Sequence, residues 1–236
     1  MTPGPWRLSI LENLPSTQTA LAEQAEAGAP HGTALLARTQ TAGRGRGGRG
    51  WDSRPGNLQL SVLLRPSAPA RAAPEFALLA GVALHAAAAA HAPVRLRWPN
   101  DLLLDGAKAG GILAEATPAA DGGIAHLILG FGVNLAHAPA LPDRPTAALG
   151  PVPPEDFARA LLGHLGHWLG RHAQEGFGPV RAAWMAAGPE AGSSITLRQG
   201  DRLRAGRYEG LAEDGALCLR TEAGLEHHRT GEVEAR

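Results

Sequence analysis

The run Gly43-Arg44-Gly45-Arg46-Gly47-Gly48-Arg49-Gly50-Trp51 sets five glycines and three arginines in eight residues and closes them with a tryptophan. Glycine lets a ligand approach the main chain closely. Successive backbone N–H groups in such a run form a concave anion site. Arginine adds a planar, permanently charged fork for carboxylate and phosphate oxygens. The run therefore reads as an enclosure for an anion, with an RNA-binding Arg-Gly tail as its rival. A second candidate is Lys108. Of 22 basic residues 21 are arginine, and Lys108 is the one lysine. A lysine kept under such a composition suits a role a guanidinium cannot fill, that of a compact charge on a flexible stem.

These residues must be carried by ordered elements. Thr33–Thr39 reads as a buried strand entering the glycine run, and Asn57–Leu64 as the alternating strand leaving it. A loop tethered at both ends argues against a free tail. Before it, Trp6–Ile10 alternates like a first strand. Ser16 and Thr17 are good N-cap residues for a short helix to Ala27, ended by Gly28. Pro74 suits the first turn of a helix running to about His91. Val94–Trp98 is a strand that Pro99-Asn100 breaks and Asp101–Leu104 resumes. Asp105-Gly106 is a hairpin turn into Lys108–Glu115, and Asp121-Gly122-Gly123 turns the chain into Ile124–Leu135. The expected fold class is α+β: a mixed or antiparallel sheet with helices on one face. Residues 136–153 form a long loop. Helices follow over Glu155–Gln174 and Pro179–Ala187. After Gly188-Pro189, short strands at Ile195–Leu197, Arg202–Tyr208, Ala216–Arg220 and Glu226–Arg229 predict a small barrel. The expected division is 1–188 and 189–236.

Composition narrows the function. Hydrophobic residues make up 44% of the 236-residue chain, and formal net charge is zero. A core is affordable, and a protein that coats nucleic acid would be basic overall. Cys218 stands alone, so no intrachain disulfide or cysteine-cluster metal site is possible. His164, His167 and His172 lie along one helix without an evident carboxylate or cysteine partner, and no metal site built from side chains is expected. Neither a signal-peptide pattern nor a membrane-length apolar run is present. A soluble cytoplasmic protein with no membrane partner is expected.

The glycine–arginine run, Trp98-Pro99-Asn100-Asp101 with Lys108 and Gly110-Gly111-Ile112-Leu113 downstream, Gly130-Phe131-Gly132-Val133-Asn134, and Ser16-Thr17 together resemble biotin protein ligases, the biotin–[acetyl-CoA-carboxylase] ligases. The likeness spans nearly the whole chain. It implies a catalytic domain related to class II aminoacyl-tRNA synthetases and an SH3-like C-terminal domain. It implies ATP with Mg²⁺, a biotinyl-5′-AMP intermediate, and transfer of biotin to one lysine of a carboxylase's carrier domain. The first strand begins near Trp6, so the monofunctional type is expected, without the N-terminal DNA-binding module of some members. A homodimer is compatible with the resemblance. By motif, the biotin-binding positions are Ser16, Thr17, Gln18, Gln40, Arg44, Gly45, Arg46, Lys108 and Gly111. ATP and adenylate fall to Arg46, Arg49, Trp51, Asn100, Asn134 and Thr146, and catalysis to Lys108, Arg44 and Asp101. Gln18 replaces the usual Asn, Thr41 stands where a second Gln is common, and Arg97 replaces the usual Lys. Lipoate ligases share the fold and supply an alternative substrate.

Overall fold

The computed structural model describes residues 6–142 and 144–234. A seven-stranded sheet and a five-stranded sheet organise the chain. The first comprises β1 (Arg7–Leu14), β2 (Thr33–Gln40), β3 (Leu58–Leu64), β4 (Val94–Arg97), β5 (Asp101–Leu104), β6 (Ala107–Pro118) and β7 (Ile124–Val133). Its spatial order is β1-β2-β3-β7-β6-β5-β4. Only β1 and β2 pair in parallel, joined by α1 (Thr17–Glu26), as a parallel pair requires a crossover. The second sheet is antiparallel, ordered β11 (Gly224–His228), β10 (Leu217–Thr221), β9 (Arg202–Leu211), β8 (Ser194–Gln199), β12 (Glu232–Val233).

The two faces of the large sheet differ, and this sets where the site lies. On one face β3 and β7 present Leu58, Leu60, Val62 and Leu64 beside Val133, Phe131, Leu129 and Leu127. There α2 (Ala73–Ala88), α3 (Pro154–Glu175) and α4 (Gly178–Ala187) bury Phe76, Leu79, Phe157, Leu161 and Trp184 in one apolar core. Leu197, Tyr208 and Leu217 of the small sheet join that same core. On the other face, register sets Gln59 beside Gly132, Ser61 beside Gly130, and Leu63 beside Ile128. Helix α1 covers only the Leu63–Ile128 end, through Leu21 and Ala25. Leu21 is wholly buried, which is worth about 2 kcal/mol. The Gln59–Ser61 end, where β7 carries glycines instead of side chains, is left for the Gly43–Trp51 loop and a cavity.

Three expectations need correction. Helices on one face holds for α2, α3 and α4, whereas α1 lies on the opposite face. Pro99-Asn100 does not interrupt a single strand: Arg97 pairs with Asp101, so β4 and β5 are antiparallel neighbours. The Trp98–Pro99 peptide is cis, and Pro99 has no N–H to continue a ladder. The last strand, β12, was not anticipated. It hydrogen-bonds to β8 and places Glu232 opposite Arg198.

Candidate active site

The N-terminus of α1 forms one wall. Ser16 caps the helix, accepting from the Thr19 amide at 3.4 Å. Thr17 donates its amide to Gln40 Oε1 at 2.8 Å, and its hydroxyl lies 2.8 Å from Ser61 Oγ. Gln40 Nε2 then donates to Ser53 Oγ at 2.7 Å. The α1 wall, β2 and β3 are thus tied by a continuous chain of polar contacts. Gln18 reaches across the floor to Glu115 Oε2, 2.9 Å away. It passes so close over Gly130 that a Cβ there would stand 2.5 Å from Gln18 Oε1.

The glycine–arginine loop closes the opposite side. Trp51 lies on Gly132, where a Cβ would stand 2.3 Å from the ring. Arg44 makes a two-pronged ion pair with Glu115, at 2.7 and 3.2 Å. Arg46 donates to Asn100 Oδ1 at 3.0 Å. Arg49 reaches Glu232 of β12 in the small sheet. Burial pushes the Glu232 carboxyl up, but Arg49, with Arg46 and Arg144 nearby, outweighs this and holds it below the usual range.

Towards the β4 edge of the sheet Lys108 extends from β6 to Asp101 Oδ1, while Arg97 donates to Asp101 Oδ2 at 3.0 Å. The Lys108 and Asp101 side chains are 15% and 13% exposed. Burial raises the Asp101 pKa, yet the Lys108 ammonium and Arg97 guanidinium prevail and keep it below the ordinary carboxylate value. Lys108 Nζ lies 5.9 Å from the Trp51 ring centroid, within reach of a cation–π contact. Asn134 donates to the Ala147 carbonyl at 3.1 Å. Thr146 bridges to Lys108, so the 136–153 loop is stitched to β6.

These walls enclose a cavity of about 290 Å³. Ser16, Thr17, Gln18, Gln40, Arg44, Gly45, Arg46, Arg49, Trp51, Asn100, Lys108, Gly111, Asn134 and Thr146 all line it. Asp101 does not. It lines an adjoining cavity of about 480 Å³ with Arg49, Arg97, Asn100, Arg144 and Glu232. Ser61, Gly130, Glu115 and Glu232 were not singled out as site residues. Gly130 was detectable from the alternation of β7, because glycines at every second position strip one face of side chains. Trp51 Nε1 and Asn134 Oδ1 are buried without a hydrogen-bond partner among the described residues. An orphaned donor and acceptor on a cavity wall are costly unless a ligand satisfies them.

Among the described residues no group of three or more His, Cys, Asp or Glu side chains could hold a metal ion. His172 lies 2.8 Å from Glu75 across α2 and α3 and packs its ring against Phe76 at a tilt of 49°. No helix among the described residues is long and apolar enough to cross a membrane. The arrangement can hold two anions side by side between a lysine, a helix N-terminus and an arginine loop. It can exclude water from the bond formed between them.

Comparison with known proteins gives a consistent picture. The family model described as the biotin/lipoate A/B protein ligase family matches residues 10–134, and the biotin protein ligase C terminal domain matches residues 191–236. The biotin–[acetyl-CoA-carboxylase] ligase of Paracoccus denitrificans is 36% identical over 213 residues, covering 84% of this chain and 88% of that protein. The bifunctional ligase/repressor BirA of Bacillus subtilis is 32% identical over 233 residues, covering 94% and 71%. The solved biotin protein ligase of Aquifex aeolicus in complex with biotin and ATP aligns with a TM-score of 0.82 at 27% identity, covering 98% of both chains.

Proposed function

This chain belongs to the biotin/lipoate A/B protein ligase family, and from that premise we propose how its site runs the ligase reaction. It is a biotin protein ligase: it activates biotin with ATP and transfers it to a carboxylase. In the first step a biotin carboxylate oxygen attacks the α-phosphorus of ATP, which enters with Mg²⁺. The bond to the β-phosphate oxygen breaks, giving biotinyl-5′-AMP and pyrophosphate. In the second, the amine of a carrier-domain lysine attacks the biotinyl carbonyl, AMP leaves, and the amine gives up a proton.

Each wall has a part. Ser16, Thr17, Gln18 and Gln40 receive the polar head of biotin over the bare floor at Gly130. Lys108, Arg44 and Arg46 offset the repulsion between the biotin carboxylate and the α-phosphate. Offsetting it is worth several kcal/mol of barrier, on the order of a thousandfold in rate. Trp51, Asn134 and Thr146 bound the nucleotide end, where the unpartnered Asn134 Oδ1 suits a hydroxyl or amino donor. The Gly43–Trp51 loop then shields the mixed anhydride from water.

The observation that carries the reading is convergence. Stretches at 16–18, 40–51, 100–111 and 130–134 bring an anion loop, a helix N-terminus and the one lysine to a single cavity. The test is incubation with biotin, Mg·ATP and a carboxyl-carrier domain, followed by mass measurement of the carrier. A carrier without a biotin adduct would refute the reading. Free lipoate added as competitor distinguishes the sister activity: its attachment in place of biotin would reassign the substrate.

A further inference from the structure

Glu115 sits on β6 beside Ile128, on the same face of the sheet as Gly111 and Leu113. Its carboxylate is shared. Oε2 accepts from Gln18 Nε2 at 2.9 Å and from Arg44 at 3.2 Å, and Oε1 accepts from Arg44 at 2.7 Å. One end of this bridge is the α1 wall that lines the head of the cavity, and the other is the glycine–arginine loop that covers it. Arg44 and Glu115 are 45% and 39% exposed, so the pair adds little to folding stability. A small energy matters more where it sets how often a glycine-rich loop opens, because such a loop lies near balance.

We propose that Glu115 is a positioning residue, one that acts through Gln18 and Arg44 and couples occupancy of the cavity's head to closure of the loop. The inference rests on the ligase reading given above. When the loop opens early, the adenylate escapes. Water then attacks the biotinyl carbonyl, the C–O bond of the anhydride breaks, and biotin, AMP and a proton result. Glu115 therefore sets the share of intermediate that reaches the carrier. The loop's other ion pair, Arg49 with Glu232, ties the loop to β12 of the small sheet, and Glu232 lines the adjoining cavity.

The experiment measures the ratio of AMP released without transfer (total AMP less biotinylated carrier) to carrier biotinylated, which does not depend on the fraction of folded enzyme. Glu115→Gln keeps an acceptor for Gln18 and removes the charge that holds Arg44. The ratio is expected to rise about fivefold, the upper range of an exposed pair, with the KM for biotin changed less than about twofold. Glu115→Ala removes both contacts. It is expected to raise the ratio similarly and to raise the KM for biotin by about tenfold, as for a lost hydrogen bond to a charged group. A Glu115→Gln ratio equal to that of the parent overturns the proposal, as does an equal rise in KM in both variants. A parent protein that forms no AMP from biotin and ATP refutes the ligase reading instead.

Discussion

Replacing Lys108 by arginine keeps the charge and tests whether its shape matters. The ammonium is held by Asp101, 5.9 Å from the Trp51 ring centroid. It stands 3.3 Å from where a Cβ on Gly111 would be. A guanidinium is larger and planar, and it has to clear both the indole and the β6 backbone. Asp101 stays neutralised, so stability should fall only by the about 1–3 kcal/mol of an overfilled site. The chemical cost is larger. Moving the charge by about 1 Å costs on the order of a hundredfold in rate, or about 2.7 kcal/mol of barrier. Biotin-dependent exchange of pyrophosphate into ATP reads adenylate formation with no carrier present. A thermal melt of the same sample shows whether the fold survives. Exchange within threefold of the parent would refute the reasoning, and the lone lysine would then be an accident of composition.

Other outcomes follow from the same geometry. In Gly132→Ala the new Cβ would meet the Trp51 ring at 2.3 Å, and in Gly130→Ala it would meet Gln18 Oε1 at 2.5 Å. The first should raise the KM for ATP and the second that for biotin, each by about tenfold for an overpacking cost of about 1.4 kcal/mol, and steady-state kinetics with the reverse pattern would break the assignment. Asp101→Asn leaves Arg97 and Lys108 without their shared counter-charge and should cost about 3 kcal/mol of unfolding free energy near neutral pH. Burial raises the Asp101 pKa but Lys108 and Arg97 bring it below the ordinary value of about 3.9. Its contribution is therefore present above that value and lost as pH falls through the lowered one. Urea melts should show the gap between parent and variant narrowing below about pH 4, and a constant gap down to pH 3 would count against it. Held with biotin and ATP but no carrier, the protein should acylate itself only at Lys108 and its α-amine, since it has no other lysine; peptide mapping that finds stable amide adducts elsewhere would contradict this.

Much of the cavity was legible because its chemistry is written in local runs. Gly43–Trp51, Trp98–Asp101 and Lys108–Leu113 declare themselves by residue type, and period-2 alternation located the strands that carry them. What was not legible depends on distant pairing. Arg44 meets Glu115 from 71 residues away and Arg49 meets Glu232 from 183 residues away. In the sequence Glu115 ends an ordinary strand and Glu232 lies beyond the last expected one, so neither is marked as a partner. The reversal at Pro99-Asn100 was read as a break because strands of four residues, Val94–Arg97 and Asp101–Leu104, show too little alternation to separate two strands from one. The two residues of β12 show none. The side on which α1 lies was hidden too, because the alternation of β3 sets the polar Gln59 and Ser61 on that face, where they line the cavity and do not mark it as helix-covered.

Asp101 shows how the structure changes the chemistry assigned to a motif residue. Its place in the Trp98–Asp101 motif assigns it to catalysis, where a carboxylate can either orient or deprotonate the carrier amine. A general base works best with a pKa near the working pH, and Asp101 is displaced the other way. Both its oxygens are engaged, Oδ1 by Lys108 and Oδ2 by Arg97. Such a carboxylate is a weak proton acceptor but a strong fixed charge. It can hold the Lys108 ammonium in one place and receive a hydrogen bond from an incoming amine, so orientation is the role that fits. The better sink for the proton is the departing AMP, a phosphate monoester whose second pKa is about 6. In the reaction proposed above, Asp101 acts through Lys108 in the first step and through the amine in the second, without changing protonation in either. That requires Lys108 to remain a point charge between Asp101 and the ligand, and a lysine supplies this in a chain that otherwise uses arginine throughout.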